Sequence, residues 1–250
     1  MKTFNLQLLT LLCCIHHSGA FLINPQFSRV VVPARKHCSS SKLPLSAANK
    51  KDDRLTHETI VWKLRPAETT GWVKKIILRL AAKAIRLDCL FKKQDPPFAL
   101  CPKGGQAVLE AHLVGEGKVA RFGFSTIRGP PVPLIDESAE DLFGIKLEGR
   151  SVGSAAIIYM YVEPPQRKLG IGEMALEIIS CIHAMQGCDF TLLVADDDGS
   201  GKLVSWYEKN KYKRAPKLQN LLGSPNEEYG VTMMAPSQQR VPENCVLKWW

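Results

Sequence analysis

The stretch Val162-Glu163-Pro164-Pro165-Gln166-Arg167-Lys168-Leu169-Gly170-Ile171-Gly172 constrains this chain more than any other. An apolar run ends on it, two prolines stop further strand pairing, and two glycines open a stripe of helical periodicity. Such a junction aims successive backbone N–H groups into one concavity, at the positive end of a helix dipole. Glycine lets the chain coil tightly and lets an anion approach the backbone. Arg167 and Lys168 add cationic side chains. The chemistry is that of a phosphate cradle; without further context the same letters also suit an ordinary strand–helix turn.

The context is ordered. Ala155–Val162 is apolar throughout, as expected of a strand covered on both faces. A helix is predicted from Gly170 to Gln186, with Ala175, Ile178, Ile179, Ile182 and Met185 on one stripe. Phe190–Ala195 reads as a strand, Asp196–Gly201 as a loop, Lys202–Lys209 as a helix and Tyr229–Met234 as a last strand. Upstream, Thr59–Arg65 is a short strand closed by Pro66, and Gln106–Gly115 and Lys118–Ile127 form a hairpin around Gly115-Glu116-Gly117. Gly129–Pro133 breaks the chain before an acidic stretch, Asp136–Asp141, expected as a loop running on to Arg150. Trp72–Leu87 has helical spacing, with Lys74, Lys75, Arg79, Lys83 and Arg86 interleaved. Its basic face could rest on an anionic membrane; the solvated side of a domain helix is the expectation. This order of elements predicts a single α/β domain with a mixed sheet.

The Val162–Gly172 stretch resembles the acetyl-CoA-binding motif of the GNAT superfamily of N-acyltransferases, carried here by Val162, Pro164, Arg167, Gly170 and Gly172. A second stretch, Leu203-Val204-Ser205-Trp206-Tyr207-Glu208-Lys209-Asn210-Lys211-Tyr212, is similar to the family's LYEKxGF segment. The Ile60–Pro66 strand and the Arg-Pro-Ala that ends it resemble the family's opening strand. The likeness spans about residues 59–236, strongest over 155–215. It implies a mixed, mostly antiparallel sheet with splayed central strands flanked by helices, and acetyl transfer from acetyl-CoA to an amine. It implies that backbone amides from Arg167 through Lys168, Leu169, Gly170, Ile171 and Gly172 hold the CoA pyrophosphate. The strand edge at Tyr161 and Val162 would bond the pantetheine, Ser200 would contact CoA, and Tyr207 would protonate the leaving thiolate.

The base is less determined. Members with a strand carboxylate carry it at positions matching Ala156 or Leu193, and neither accepts a proton. Glu163, the 136–141 acidic stretch or a water relay are the alternatives, with Glu163 the named candidate. The acidic stretch could also select a cationic acceptor, or be a solvated insertion. Resemblance to plastid members makes a protein N-terminus or lysine the first acceptor, and a small amine (polyamine, arylalkylamine or amino acid) the second. A CoA-binding regulatory module without turnover is the reading from a different class. No metal is expected: Gly199–Lys202 lacks the P-loop spacing, and aligning Asp196–Gly199 to a calcium loop puts Val194 at its first ligand. His112 and His183 are expected to be structural.

Charge speaks to delivery. Of a net charge of +9, six come from residues 1–54, where eight basic residues face Asp52 and Asp53. The rest is nearly balanced, which removes the case for nucleic acid as partner. Residues 1–20 read as a signal peptide: Lys2, a short apolar run to Ile15, then His16-His17-Ser18-Gly19-Ala20. That run is too short for a resident membrane span. Residues 21–55, nearly devoid of acids and rich in Ser, Lys and Arg, read as a transit segment. The Ala20-Phe21 junction resembles bipartite leaders of algae with complex plastids, so the plastid stroma is the expected location, with secretion the alternative. Domains follow as leader 1–20, transit segment 21–55, catalytic domain 56–236 and tail 237–250. Five cysteines outside the leader, without CxxC spacing, read as buried thiols.

Overall fold

Alternation along each strand builds the framework. In β1 (Ile60–Pro66), Ile60, Trp62 and Leu64 are buried on one side while Lys63 and Arg65 face the other. The computed structural model describes residues 54–67, 71–73, 76, 77, 80, 83, 84, 105–223 and 230–249. The stretches expected as signal peptide (1–20) and, up to residue 53, as transit segment lie outside the described residues, as do Cys89 and Cys101.

β1 pairs antiparallel with β2 (Gln106–Leu113), which turns into β3 (Gly117–Ser125) and then β4 (Ser154–Val162). β5 (Phe190–Ala195) runs parallel to β4, and β6 (Lys213–Arg214) and β7 (Val231–Pro236) complete that side. β8 (Leu247–Trp249) pairs parallel with β1. The sheet order is β6-β7-β5-β4-β3-β2-β1-β8. The expected mixed, mostly antiparallel sheet is therefore present. The short β6 and the β8 strand, contributed by the 237–250 tail, went unread in the sequence because two or three residues carry no periodicity.

Among the described residues, four helices flank the sheet: α1 (Pro133–Phe143), α2 (Ile171–Met185), α3 (Lys202–Lys209) and α4 (Pro216–Leu222). Ile178, Ile179 and Ile182 of α2 close over Trp62, Leu109 and Phe122 in the larger core. α1 and α4 close the opposite face of β5 and β7 around Ile135, Ala139, Phe190, Leu218 and Met234.

Two expectations are corrected. The acidic stretch is not a loop but α1. Pro133 opens it, Gly144 at φ +65° ends it, and Ile135 and Ala139, four apart, bury one face. Its carboxylates have structural partners: Asp136 accepts the Val152 N–H at 2.8 Å, and Lys217 lies 3.3 Å from Glu137 and 2.7 Å from Asp141. Nor is β4 covered on both faces, since Ile158, Tyr159 and Tyr161 are exposed. Unbroken apolarity conceals such an open face, because tyrosine rings serve at either surface.

His112 and His183, expected to be structural, both bond to residues of the sheet framework. His183 is fully buried; its Nε2 lies 2.8 Å from the Ser125 carbonyl, which can only accept, so this nitrogen carries the proton. Nδ1 lies 2.8 Å from the Thr191 hydroxyl, so the ring ties α2 to β3 and β5. His112 bonds Glu110 at 3.1 Å.

Candidate functional site

The centre of the sheet opens. β4 and β5 are paired only through Ser154–Ala156 and Phe190–Leu192, although β4 runs on to Val162 and β5 to Ala195. Past Ala156, the β5-facing edge of β4 has no partner strand among the described residues. On its other side β4 carries a bulge: Gly123 pairs with Tyr159 and Phe124 with Ile157, leaving Ile158 as the extra residue. A bulge re-aims the local backbone groups, and here it does so beside the opening. Residue periodicity carries no sign of it.

At the end of β4 the chain forms the anticipated junction. A single turn, Pro164–Gln166, leads to Lys168 at φ +70° and Gly170 at φ +86°, and α2 begins at Ile171. The first α2 bond runs from the Met174 N–H to the Gly170 carbonyl. Backbone N–H groups of Lys168, Leu169, Gly170, Ile171 and Gly172 have no acceptor among the described residues, which is the cradle expected of a helix N-terminus.

Arg167 differs from expectation. Its backbone N–H bonds the Pro164 carbonyl at 3.3 Å, and its Nε donates to the Val162 carbonyl at 3.1 Å. It braces the cradle against the strand end. Gln166 does likewise toward the hairpin, donating to Glu116 at 2.8 Å. Gly172 has a reason of its own to be small: a Cβ there would stand 3.1 Å and 3.2 Å from the Trp206 ring.

Tyr207 comes from α3, whose start is fixed by the buried Asp197. That carboxylate accepts the backbone N–H groups of Gly201 and Leu203, the latter at 3.0 Å. One turn on, Tyr207 donates to Met160 Sδ on β4 at 3.4 Å, so its hydroxyl lies at the unpaired portion of β4. The ring packs edge-on between Trp206 and Tyr212. Burial pushes the phenol up to about 12, which keeps it protonated and able to donate at neutral pH.

Tyr161 and Glu163 stand apart from this group. The Tyr161 hydroxyl donates to Glu163 at 3.0 Å, and Arg121 lies over the Tyr161 ring at 5.5 Å. That hydrogen bond, with a smaller effect of burial, raises the Tyr161 phenol above its ordinary value. Met160 and Tyr161 are consecutive in a strand, so Tyr207 and the Tyr161–Glu163 pair sit on opposite faces of β4. Ser200 is exposed; its backbone N–H bonds Asp198 at 3.0 Å and its hydroxyl accepts the Lys202 N–H at 3.3 Å. It lines an open groove with Lys202, Trp206, Lys209 and Arg214. Trp206, which donates to Glu173 at 3.3 Å, joins this groove to the cradle. The sequence offered only its place in the Tyr207 helix. Among the described residues no three His, Cys, Asp or Glu side chains converge as a metal site.

No protein-family model matches the chain, and no curated protein matches it. Several solved structures are similar in outline at low identity. A GNAT-family acetyltransferase from Staphylococcus aureus overlaps with a TM-score of 0.38 at 13% identity, over 71% of this chain and 100% of its own. GCN5 from Tetrahymena overlaps with a TM-score of 0.37 at 10% identity, over 72% and 98%. A GNAT-family acetyltransferase from Elizabethkingia anophelis, solved with acetyl-CoA bound, gives 0.37 at 10%, over 72% and 99%.

Proposed function

We propose that this chain is an acetyl-CoA-dependent N-acetyltransferase. The observation that carries the reading is one juxtaposition: the gap between β4 and β5 beyond Ala156 and Leu192 leads to the free amides of Lys168–Gly172. A gap between strands suits an extended amide-bearing arm, which can pair with the unpaired edge of β4 as a strand would. A pyrophosphate suits the cradle at its end, with the Lys168 ammonium as counter-charge. Acetyl-CoA has both parts in that order.

The chemistry then needs direct attack, without a covalent acyl-enzyme. A neutral amine adds to the thioester carbonyl, the C–S bond breaks, and the thiolate takes a proton. Tyr207 is the donor we assign to the sulfur, on the strength of its hydroxyl lying beside Met160 of β4. A backbone N–H at the bulge around Ile158 is suited to polarise the carbonyl. Glu163, on the open face, is the carboxylate assigned to accept the amine proton, directly or through water. The acceptor we favour is a protein N-terminus or a lysine side chain, in the plastid stroma that the 1–55 leader suggests; a small amine is the second choice. Ala156 and Leu193, which leave those strand positions without a carboxylate, favour one other reading: a CoA-binding module that regulates a partner.

Steady-state thiol release from acetyl-CoA with a panel of peptide and small-amine acceptors separates these. Turnover with at least one acceptor is expected. CoA binding without thiol release above hydrolysis would leave the regulatory module. Tyr207→Phe should lower kcat by roughly 100-fold with acetyl-CoA affinity unchanged. A changed affinity with kcat intact would reduce Tyr207 to packing.

A further inference from the structure

A row of charged and aromatic side chains crosses the sheet on the face that carries Glu163. Lys63 of β1, Glu110 of β2, Arg121 of β3 and Tyr161 of β4 stand opposite one another in register, so their side chains share that face. Glu110 is buried and committed: its Oε2 lies 3.0 Å from Arg65 and 3.1 Å from His112, and its Oε1 3.5 Å from Lys118. Lys63 and Arg121, its neighbours on either side, have no carboxylate partner among the described residues. Arg121 instead lies over the Tyr161 ring, 5.5 Å from its centroid, while Tyr161 donates to Glu163. The β1–β4 half of this face therefore sets Lys63, Arg65, Lys118 and Arg121 against Glu110 and Glu163. Over β5 and β7, α1 keeps Glu137 and Asp141 on Lys217 and Asp136 on the Val152 N–H.

Given acetyl transfer as proposed above, we infer that the acceptor is a polypeptide N-terminus with an acidic side chain at its second or third position, and that Arg121 holds that carboxylate. The Tyr161 ring fixes where the guanidinium stands and leaves its planar fork of N–H donors open to a carboxylate. Charge separates the acceptor classes. A polyamine or a lysine-rich segment would bring like charge against Arg121 and Lys63, which repel it. Spacing separates the rest. The N–H assigned to the thioester carbonyl, at Ile158, is three residues along β4 from Tyr161, about 10 Å, and Arg121 is one strand further across, about 5 Å. A free amino acid carries its amine and carboxylate on one Cα, too close to serve both places. An extended chain advances about 3.3 Å per residue, so its second or third side chain reaches the Arg121 level. Exposed Tyr159 and Tyr161 floor that path; the Tyr159 ring lies across Gly123, where a Cβ would collide with it.

Initial rates of thiol release from acetyl-CoA test this, with the full chain and peptides alike except for Glu, Gln or Lys at positions two and three. The Glu peptide should exceed the Gln peptide by about tenfold in kcat/KM, carried by KM, and exceed the Lys peptide by more. Added salt should erode that preference. Arg121→Gln should bring the Glu-to-Gln ratio close to one, and Arg121→Glu should turn the preference toward Lys. Thermal melts check that both variants fold; if neither does, the wild-type ranking and its salt dependence carry the test. Turnover without a preference for Glu, or a preference that folded Arg121→Gln retains, would overturn the proposal and leave acetyl transfer standing. No thiol release with any peptide would remove the acetyltransferase reading instead. Fluorescence anisotropy of the same peptides, labelled at the C-terminus, then decides for the face. Tighter binding of the Glu peptide, lost in Arg121→Gln, would keep the recognition, and equal binding of all three would overturn it.

Discussion

Lys168 holds a left-handed conformation, φ +70°, that a side chain with a Cβ resists by roughly 1–2 kcal/mol. Strain of this kind gathers where a binding function over-determines the backbone. Lys168→Gly should therefore raise unfolding free energy in urea by up to about 1 kcal/mol while weakening CoA affinity in calorimetric titration. Unchanged affinity would remove the ammonium from the account. Tyr207 gives a second expectation. The unfolded phenol ionises near its ordinary value, whereas burial holds the folded one up to about 12. Its contribution is whole below pH 10 and is lost as pH rises toward 12, at about 1.4 kcal/mol per pH unit. Chemical denaturation at stepped pH should show that slope reduced by one proton's worth in Tyr207→Phe. At this scale the cradle glycines and Tyr207 were legible as motif letters. The second reason for Gly172, the Trp206 ring, was not, because contact between residues 34 apart leaves no local pattern.

At the scale of elements, α3 depends on one side chain. Asp197 accepts two of the N–H groups that open the helix, and α3 in turn sets the height of Tyr207 over Met160. Asp197→Ala should cost about 1–2 kcal/mol in denaturant melts and lower turnover with little change in acceptor preference. A stable variant with wild-type kcat would show that other contacts position α3. In the sequence Asp197 was only one of three consecutive aspartates, and nothing local distinguishes the cap from its neighbours. Elsewhere the long periodic elements were readable: β5 and α3 fall where alternation and helical spacing predicted, and α2 within one residue at each end. α1 was missed because six polar or small residues in a row masked a short buried stripe, which its packing on α4 stabilises from outside the segment.

Across the whole molecule, two surfaces of opposite logic emerge. One face of the sheet is sealed by α2 and α3, with the Tyr207 hydroxyl at its boundary. On the other, Tyr159, Tyr161 and Glu163 stay open, so an acceptor and a departing sulfur would be served from different sides of β4. Of the charge of +9, which first suggests nucleic acid, six belong to residues 1–54, and Arg167 and Lys168 add a local cluster at the cradle. The measurement closest to the central claim is backbone hydrogen exchange with and without acetyl-CoA. The account predicts slowed exchange at Ile157–Val162 and Lys168–Gly172, as the arm pairs with β4 and the phosphates engage the cradle. Binding that leaves both segments unchanged, or no binding at all, would contradict it.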